Sequence, residues 1–270
     1  MVLKIRDNLW YGGKKCCLTF SYDDGRNADY RLIEIFNKYG MKGTFNLNAG
    51  FLKDDGNHVM KKDIASLYTG HEVACHSYSH PTLTELPSTV ILEEILRDKN
   101  ELEQLWGHTV RGMAYPNGQC DKRVAELVGS CGIKYSRASS ATSTNYFRLP
   151  QDFMELHPTC HHNADLIKLF GDLVNMPGFR LNMPLMYVCG HSYEFDTDNG
   201  WERMEEFCRT AANHPDVWYA TNAEIYDYIT AQRMVDYSVD KNMAYNPSGI
   251  SVWISVSGKA TELKPGENKF

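Results

Sequence analysis

The sequence has no long apolar run: no stretch approaches the roughly 18 uncharged apolar residues that a membrane-spanning helix requires. It also has no internal repeat of fixed period, no low-complexity linker and no excess of positive charge. The 28 basic residues face 34 acidic ones, for a formal net charge of −6. We therefore expect neither a membrane span nor a broad binder of nucleic-acid phosphates. With 270 residues, 43% of them hydrophobic, the chain is predicted to fold around one large core.

The paired CxxC motif is also missing, although the chain has eight cysteines. Four of them lie inside apolar runs: Cys16, Cys17, Cys75 and Cys189. This pattern predicts buried reduced thiols rather than a disulfide framework or a thiolate zinc site. The first 15 residues are charged and contain no apolar segment of the kind found in secretory signals. Together these features favour a cytoplasmic protein.

Short apolar runs alternate with helical patterns along most of the chain, which is typical of α/β proteins. The candidate strands are residues 16–20, 43–47, 72–75, 112–115, 133–135, 153–156, 185–189 and 217–220. Helices are predicted to end at Gly40 and Gly107, and another to begin near Asn222 as its cap. The count predicts a parallel sheet closed into a (β/α) barrel, with an open doubly wound sheet as the alternative.

The last 35 residues differ in character from the rest. Apolar residues alternate at Ile250, Val252, Ile254 and Val256, and a Ser-Gly turn follows before residues 260–263. This pattern predicts a β-hairpin. We therefore divide the chain into a barrel at 1–235 and a small hairpin extension, packed on the barrel, at 236–270.

Nearly every candidate strand ends in a residue that can do chemistry. The C-terminal ends of parallel strands meet at one rim, where α/β enzymes build their active sites. These residues are Asp23, Asp24, Asn48, His76, Tyr115, Arg137, His157 and His191. Polar loops alone would explain part of this pattern, but the mixture of aspartates, histidines and an arginine favours an enzyme.

Two of these groups have the spacing of a metal site. His76 and His80 are four residues apart, so both rings could reach one ion on the same face of a helical turn. With a carboxylate from Asp23 or Asp24 they would provide oxygen and nitrogen ligands and leave positions open for water. The alternatives are an ordinary Asp-Gly turn and a pair of structural histidines.

The sequence TFSYDDG at 19–25 resembles the first motif of the polysaccharide deacetylases (the NodB-homology domain, carbohydrate esterase family 4). HSYSHP at 76–81 resembles their second motif, MAYPNG at 113–118 a variant of the third, and the Gly-His ending of 187–191 the fifth. The resemblance runs from about Cys16 to Ile229 and makes the chain a divergent member. It implies a distorted (β/α) barrel, usually of seven strands.

The resemblance also implies a reaction and a role for each matching residue. Asp24, His76 and His80 would bind a divalent metal, with zinc expected and cobalt, nickel or manganese as alternatives. Asp23 would act as general base and His191 as general acid in removing an acetyl group from an N-acetylated or O-acetylated sugar or oligosaccharide. A backbone N–H near Tyr115 would stabilise the oxyanion.

The third motif departs from the family pattern. Ala114 stands where an arginine commonly orients the base, and Asn117 where a tyrosine is common. Our hypothesis is that Arg137, at the end of the next strand, supplies the missing charge, whereas Arg111 points elsewhere. Tyr115 and Asn117 are expected to contact substrate.

The segment HPTCHH at 157–162 has no counterpart among the family motifs. His157 and His161 are predicted to contact substrate, with a further metal ligand as a second interpretation. The alternative is that His161 and His162 are solvated residues that open the helix predicted at 164–173.

Three other functions stay open at this point. The protein could hydrolyse a linear or cyclic amide that is not a sugar, or it could be a non-catalytic carbohydrate-binding relic. A phosphate-releasing metalloenzyme is disfavoured because the sequence has no Gly-rich phosphate loop.

Overall fold

The computed structural model describes residues 4–53, 56–138, 147–177, 182–197 and 199–270. The strands are β1 (Ile5–Arg6), β2 (Cys16–Asp23), β3 (Gly43–Leu47), β4 (Glu72–Cys75), β5 (Gly112–Ala114), β6 (Tyr135–Arg137), β7 (Cys160–His161), β8 (Leu185–Gly190), β9 (Val217–Tyr219), β10 (Asp236–Tyr237), β11 (Met243–Asn246), β12 (Val252–Val256), β13 (Lys259–Leu263) and β14 (Gly266–Lys269). The helices are α1 (Asp29–Tyr39), α2 (Ile64–Leu67), α3 (Ser88–Trp106), α4 (Lys122–Ser130), α5 (Leu166–Val174), α6 (Gly200–Ala211) and α7 (Asn222–Arg233).

A curled parallel sheet forms the centre of the fold, in the order β6-β5-β4-β3-β2-β8-β7. Strand β2 is buried along its whole length and carries β8 on one edge. On its other edge β9 pairs with the first residues of β2 and β3 with the last ones. This arrangement confirms the predicted (β/α) barrel class. Every parallel strand points its C-terminal end towards the same rim.

One segment touches both edges of this sheet. Leu156 pairs with β6 through the Ser136 backbone, and four residues later Cys160 pairs with Val188 in β8. The predicted strand at 153–156 is therefore wrong: the segment forms a single bridge to Arg137 and then crosses towards β8. A strand requires several consecutive ladder bonds, which a chain passing from one edge to the other cannot make.

The helices cover the outside of the sheet as the apolar spacing predicts. Phe36 of α1 packs against Phe20 of β2, with ring centroids 4.6 Å apart. Gly40 and Gly107 end their helices with positive φ angles of 68° and 79°, which glycine adopts at little cost.

Helix α7 is capped by Thr221, so the prediction that Asn222 caps it is wrong. The Thr221 hydroxyl accepts from the Glu224 N–H, and the Glu224 carboxylate accepts from the Thr221 N–H. The Asn222 side chain instead bonds the hydroxyls of Thr19 and Tyr187 inside the barrel.

The predicted C-terminal hairpin is present as β12 and β13, paired from Val252 with Leu263 to Val256 with Lys259. Strand β12 also pairs with β1, so the two ends of the chain share a sheet. A second small sheet has the order β10-β11-β14. The Trp253 N–H donates to the Tyr228 hydroxyl of α7 at 3.0 Å, which joins the hairpin to the barrel.

The cysteines match their prediction: all are free thiols, and all but Cys120 are buried. In the described part of the chain no helix is long and apolar enough to cross a membrane.

Candidate active site

The C-terminal rim of the sheet encloses a cavity of about 510 Å³. Its lining brings together most of the residues that the sequence singled out: Asp23, Asp24, His76, His80, Tyr115, Asn117, Arg137, His161 and His191. They come from the ends of β2, β4, β5, β6, β7 and β8 and from the loops that follow. Residues far apart in sequence therefore face one another across a single cavity.

Asp24, His76 and His80 form a three-ligand cluster. The Asp24 Oδ1 atom lies 3.7 Å from His76 Nε2 and 3.8 Å from His80 Nε2, and all the ligand atoms lie within 4.8 Å of one another. Asp24 and His80 have φ angles of 77° and 59°. L residues rarely adopt this left-handed backbone, which is found where a site demands it.

This cluster fits a divalent metal in two respects. Asp24 Oδ1 is buried yet has no hydrogen-bond partner among the described residues. His76 Nδ1 donates to the Ala114 carbonyl at 2.8 Å, which leaves the lone pair of Nε2 directed at Asp24. Burial also lowers the pKa of His76, and the neutral ring is the form that binds metals.

Two further side chains hold the His76 loop in place: Asn48, one of the predicted strand-end residues, and Asp98, which the sequence did not single out. The Asp98 carboxylate accepts from the Ala49 N–H at 2.7 Å and the His76 N–H at 3.0 Å. Asn48 donates to the carbonyls of His76 and Ser77 at 2.5 and 2.7 Å. Burial raises the pKa of Asp98 to about 8. The backbone of this loop is thus fixed by hydrogen bonds that do not involve the imidazole rings.

Asp23 sits beside the cluster as a buried carboxylate with two donors. Asn46 donates to its Oδ1 at 2.8 Å, and the Arg137 guanidinium donates to its Oδ2. Burial alone would raise the pKa of Asp23, but the charge of Arg137, helped by His76 and His191, holds it below its ordinary value. Burial likewise opposes the charge of Arg137, yet Asp23 keeps the pKa of that guanidinium above its usual range. The pair is therefore ionised at neutral pH.

The contact between Arg137 and Asp23 is the one that our hypothesis about the missing arginine requires. Arg111 points away from the cavity, as expected, and its guanidinium donates two hydrogen bonds, of 2.8 and 2.7 Å, to the Asp227 carboxylate. Strand β6 pairs in register with β5, and Arg137 lies directly beside Ala114, the position where the family commonly has its arginine.

His191 follows β8 and shares the cavity with Asp23. Its ring lies 5.2 Å from the ring of Tyr193, and its backbone N–H donates to Glu194 at 3.0 Å. About a third of the His191 side chain is exposed. A group that delivers a proton to a leaving group needs this access to the cavity.

The four residues predicted to contact substrate, Tyr115, Asn117, His157 and His161, differ in their exposure and in the cavity that they line. Asn117 is exposed at the cavity and donates to Thr82 at 2.9 Å. Tyr115 is buried, and its hydroxyl donates to the Met154 carbonyl at 2.8 Å. Its backbone N–H donates to the Arg137 carbonyl, so the oxyanion donor of this loop would have to be a later N–H such as that of Asn117.

His161 and His157 face different cavities. His161 lines the main cavity. His157 instead lines a neighbouring cavity of about 280 Å³ with Phe153, Tyr187 and Asn222, so the structure does not bring it to Asp23. Its Nε2 lies 3.5 Å from Glu155.

The alternative interpretation, in which His162 is a solvated residue, is wrong, because the His162 side chain is fully buried. A signal for Asp98 was available in the sequence: it lies three residues after Ile95 and four before Leu102, on the apolar face of α3. A charge on such a face indicates a buried partner. Asn46 and Glu194 carry no comparable signal, since nothing local distinguishes them from other polar residues.

Comparison with known proteins identifies a family that this chain resembles over part of its length. The family model for polysaccharide deacetylase matches residues 11–136. A peptidoglycan-N-acetylglucosamine deacetylase of Listeria monocytogenes is 28% identical over 126 residues, 46% of this chain and 26% of that protein. The chain thus spans less than a third of the length of the curated relatives it matches.

Solved structures share the fold at low sequence identity. A protein of Mycobacterium smegmatis assigned to the polysaccharide deacetylases superposes with a TM-score of 0.63 at 18% identity, covering 86% of this chain and 96% of that one. A Bacillus anthracis pseudoenzyme of carbohydrate esterase family 4 superposes with a TM-score of 0.53 at 17% identity, covering 78% of this chain and 65% of that one.

Proposed function

We propose that the chain is a member of the polysaccharide deacetylase family, whose model matches residues 11–136, and that it is a metal-dependent hydrolase that removes acetyl groups from an N-acetylated or O-acetylated carbohydrate. The observation that carries the proposal is the pairing of two units in one cavity. One is the three-ligand cluster of Asp24, His76 and His80, and the other is the ionised Asp23–Arg137 pair. Binding a sugar would need neither.

Asp24, His76 and His80 would hold the divalent ion, for which we propose zinc. A divalent ion in such a site supplies Lewis-acid polarisation of the acetyl carbonyl and makes water easier to deprotonate. The Ala114 carbonyl fixes the His76 ring, and the Asp98 carboxylate fixes the His76 backbone. The His76 ligand is thus oriented before any ion binds.

Asp23 is the proposed general base. Its Oδ2 lies 4.0 Å from His76 Nε2, so it faces the ligand cluster without belonging to it. Arg137 and Asn46 hold the carboxylate in its ionised form and in one orientation. Asp23 can therefore accept a proton from attacking water as the new C–O bond forms.

His191 is the proposed general acid. When the tetrahedral intermediate collapses, the bond between the carbonyl carbon and the sugar nitrogen or oxygen breaks, and that atom needs a proton. His191 lies in the same cavity, and its exposed ring can donate it. Acetate and the free amine or alcohol leave.

Two variants test these roles on a panel of acetylated amino sugars, acetylated xylo-oligosaccharides and cyclic amides. Asp23→Asn should retain metal by elemental analysis and lose turnover, because it removes the proton acceptor and keeps all three metal ligands. His80→Ala should lose metal and turnover together. His108→Ala removes an exposed histidine outside the cavity and serves as the control.

Full activity in Asp23→Asn would exclude Asp23 as the base, and metal retained by His80→Ala would exclude the ligand set. Binding of acetylated sugar by the wild-type protein without any turnover would overturn the enzyme proposal. The non-catalytic interpretation would then take its place, as in the pseudoenzyme that shares this fold. Turnover of cyclic amides alone would keep the mechanism and change the substrate class.

A further inference from the structure

A second cluster of potential metal ligands lies next to the one already described. His161 and His162 follow one another at the end of β7, and Glu194 lies in the short helix after β8. Glu194 Oε2 is 3.1 Å from His161 Nε2 and 3.3 Å from His162 Nε2. None of these three residues belongs to the Asp24, His76 and His80 cluster.

The spacing of these atoms suits a small tetrahedral ion. In a zinc site with bonds of about 2.0–2.1 Å, two ligand atoms lie roughly 3.3 Å apart. Consecutive residues of a regular strand place their side chains on opposite faces. Here the chain leaves β7 at His161, and the two imidazole rings come within 4.2 Å of each other, centroid to centroid.

His162 provides an independent observation. Its side chain is completely buried, and neither ring nitrogen has a hydrogen-bond partner in the described part of the chain. The ring is held between Tyr22 and Phe195, with centroids 5.7 and 4.2 Å away. A buried polar ring without a partner is costly unless something binds it.

The backbone beside this ring makes room for it. A Cβ on Gly190 would lie 2.1 Å from His162 Nδ1, so only glycine fits there. The position of the His162 ring therefore depends on the absence of a side chain at Gly190, the last residue of β8.

The cluster opens towards the main cavity. The His161 side chain is 41% exposed and lines the cavity that holds Asp23 and Asp24. His191 Nδ1 lies 3.5 Å from Glu194 Oε2 and has no hydrogen-bond partner among the described residues. This nitrogen is therefore close enough to Glu194 to occupy a fourth coordination position.

The geometry points to a second divalent transition-metal site, formed by His161 Nε2, His162 Nε2 and Glu194 Oε2, with the fourth position filled by His191 Nδ1 or water. Imidazole and carboxylate ligands suit zinc or cobalt. Bound through Nδ1, His191 would have its ring orientation fixed while its Nε2 stays available to the cavity.

Metal stoichiometry tests the site without reference to activity. Each protein is stripped with a chelator, reloaded with excess Zn²⁺, desalted and measured by elemental analysis. The wild type should hold about two ions per chain, and Glu194→Gln and His80→Ala about one each. Glu155→Gln removes a carboxylate that also lies beside a histidine, His157, and should keep both ions.

Reloading with Co²⁺ adds a second readout, because tetrahedral Co²⁺ absorbs strongly in the visible. The His80→Ala protein should keep this absorption, and the double variant with Glu194→Gln should lose it. If Glu194→Gln does not fold, His161→Ala removes an exposed ligand instead and should give the same loss.

The second site would be overturned if the wild type holds one ion that His80→Ala loses and that both Glu194→Gln and His161→Ala keep. The proposed function would then stay intact. One ion lost only in Glu194→Gln or His161→Ala would support the second site and overturn the first.

Discussion

Arg137→Met should uncouple Asp23 from the only guanidinium that contacts its carboxylate in the described structure. Both side chains are at most 8% exposed. Removing one partner of a buried ion pair costs about 3–5 kcal/mol, because the other charge stays buried without compensation. We expect the free energy of unfolding at pH 7 to fall by that amount.

A double-mutant cycle with Asp23→Asn isolates the pair. Because the two side chains are in contact, the double variant should be more stable than the sum of the single effects allows, by about 2–3 kcal/mol. The exposed pair of Arg111 and Asp227, whose side chains are 36% and 42% exposed, is the matched control. Its coupling should stay below about 1 kcal/mol.

The pH dependence follows from the direction of the Asp23 pKa. In the wild type that pKa lies below 3.8, so the stability that ionised Asp23 contributes is present above pH 3.8 and is lost as the pH falls through the folded pKa. In Arg137→Met burial dominates, and the pKa rises. The acidic limb of kcat/KM should therefore move to higher pH.

Urea unfolding of the wild type, Arg137→Met, Asp23→Asn and their double variant gives the coupling energy, and the same cycle on Arg111 and Asp227 gives the control value. The pH–rate profiles of the wild type and Arg137→Met give the position of the acidic limb. A coupling energy no larger than that of the Arg111 pair, together with an unmoved acidic limb, would refute the role given to Arg137. Arg137→Lys should restore the position of the limb in part, since it keeps the charge and loses the planar fork.

Two further predictions concern the fold around the site. Burial raises the pKa of Glu72 from 4.5 to about 7, and Glu72→Gln keeps its Oε acceptor for Thr44 and Ala223. Relative to this variant, the wild type should lose up to about 3 kcal/mol of stability as the pH rises from 4.5 to 7, and then level off; parallel curves in urea titrations would contradict the buried carboxyl. Gly190→Ala should destabilise the protein by about 1–3 kcal/mol through the clash of the new Cβ with His162. Gly171→Ala, in open space within α5, is the control and should be neutral or stabilising by up to about 1 kcal/mol. Equal shifts of the melting temperature in the two variants would contradict the close approach of Gly190 to His162.

Local patterns predicted the fold where local chemistry decides it. Apolar runs bounded by glycine and charge marked most of the strands, and Gly40 and Gly107 marked helix ends because positive φ favours glycine. The path of residues 153–161 could not be predicted this way, since an apolar run does not reveal which neighbour its backbone pairs with. Thr221 and Asn222 are both good caps, and the hydrogen bonds of the Asn222 side chain to Thr19 and Tyr187 inside the barrel decide between them.

The site was predictable where its residues lie close in sequence. The pair Asp23-Asp24 and the spacing of His76 and His80 could be seen directly. The partner of Asp23 required a guess about neighbouring strands, which the register of β5 and β6 makes possible. The cluster around Glu194 was missed because its members come from two strand ends whose approach depends on the absence of a side chain at Gly190.

The pairing of β1 with β12 also affects how the chain folds. Ile5 finds its partner, Val256, only after nearly the whole chain has been made, and such distant contacts are the slow ones in folding. Tyr11, which also contacts Trp218 and Tyr228, lacks its edge-on contact with Trp253 at 4.6 Å until then. Until β12 pairs with β1, this face of the barrel therefore presents aromatic surface that chaperones can bind.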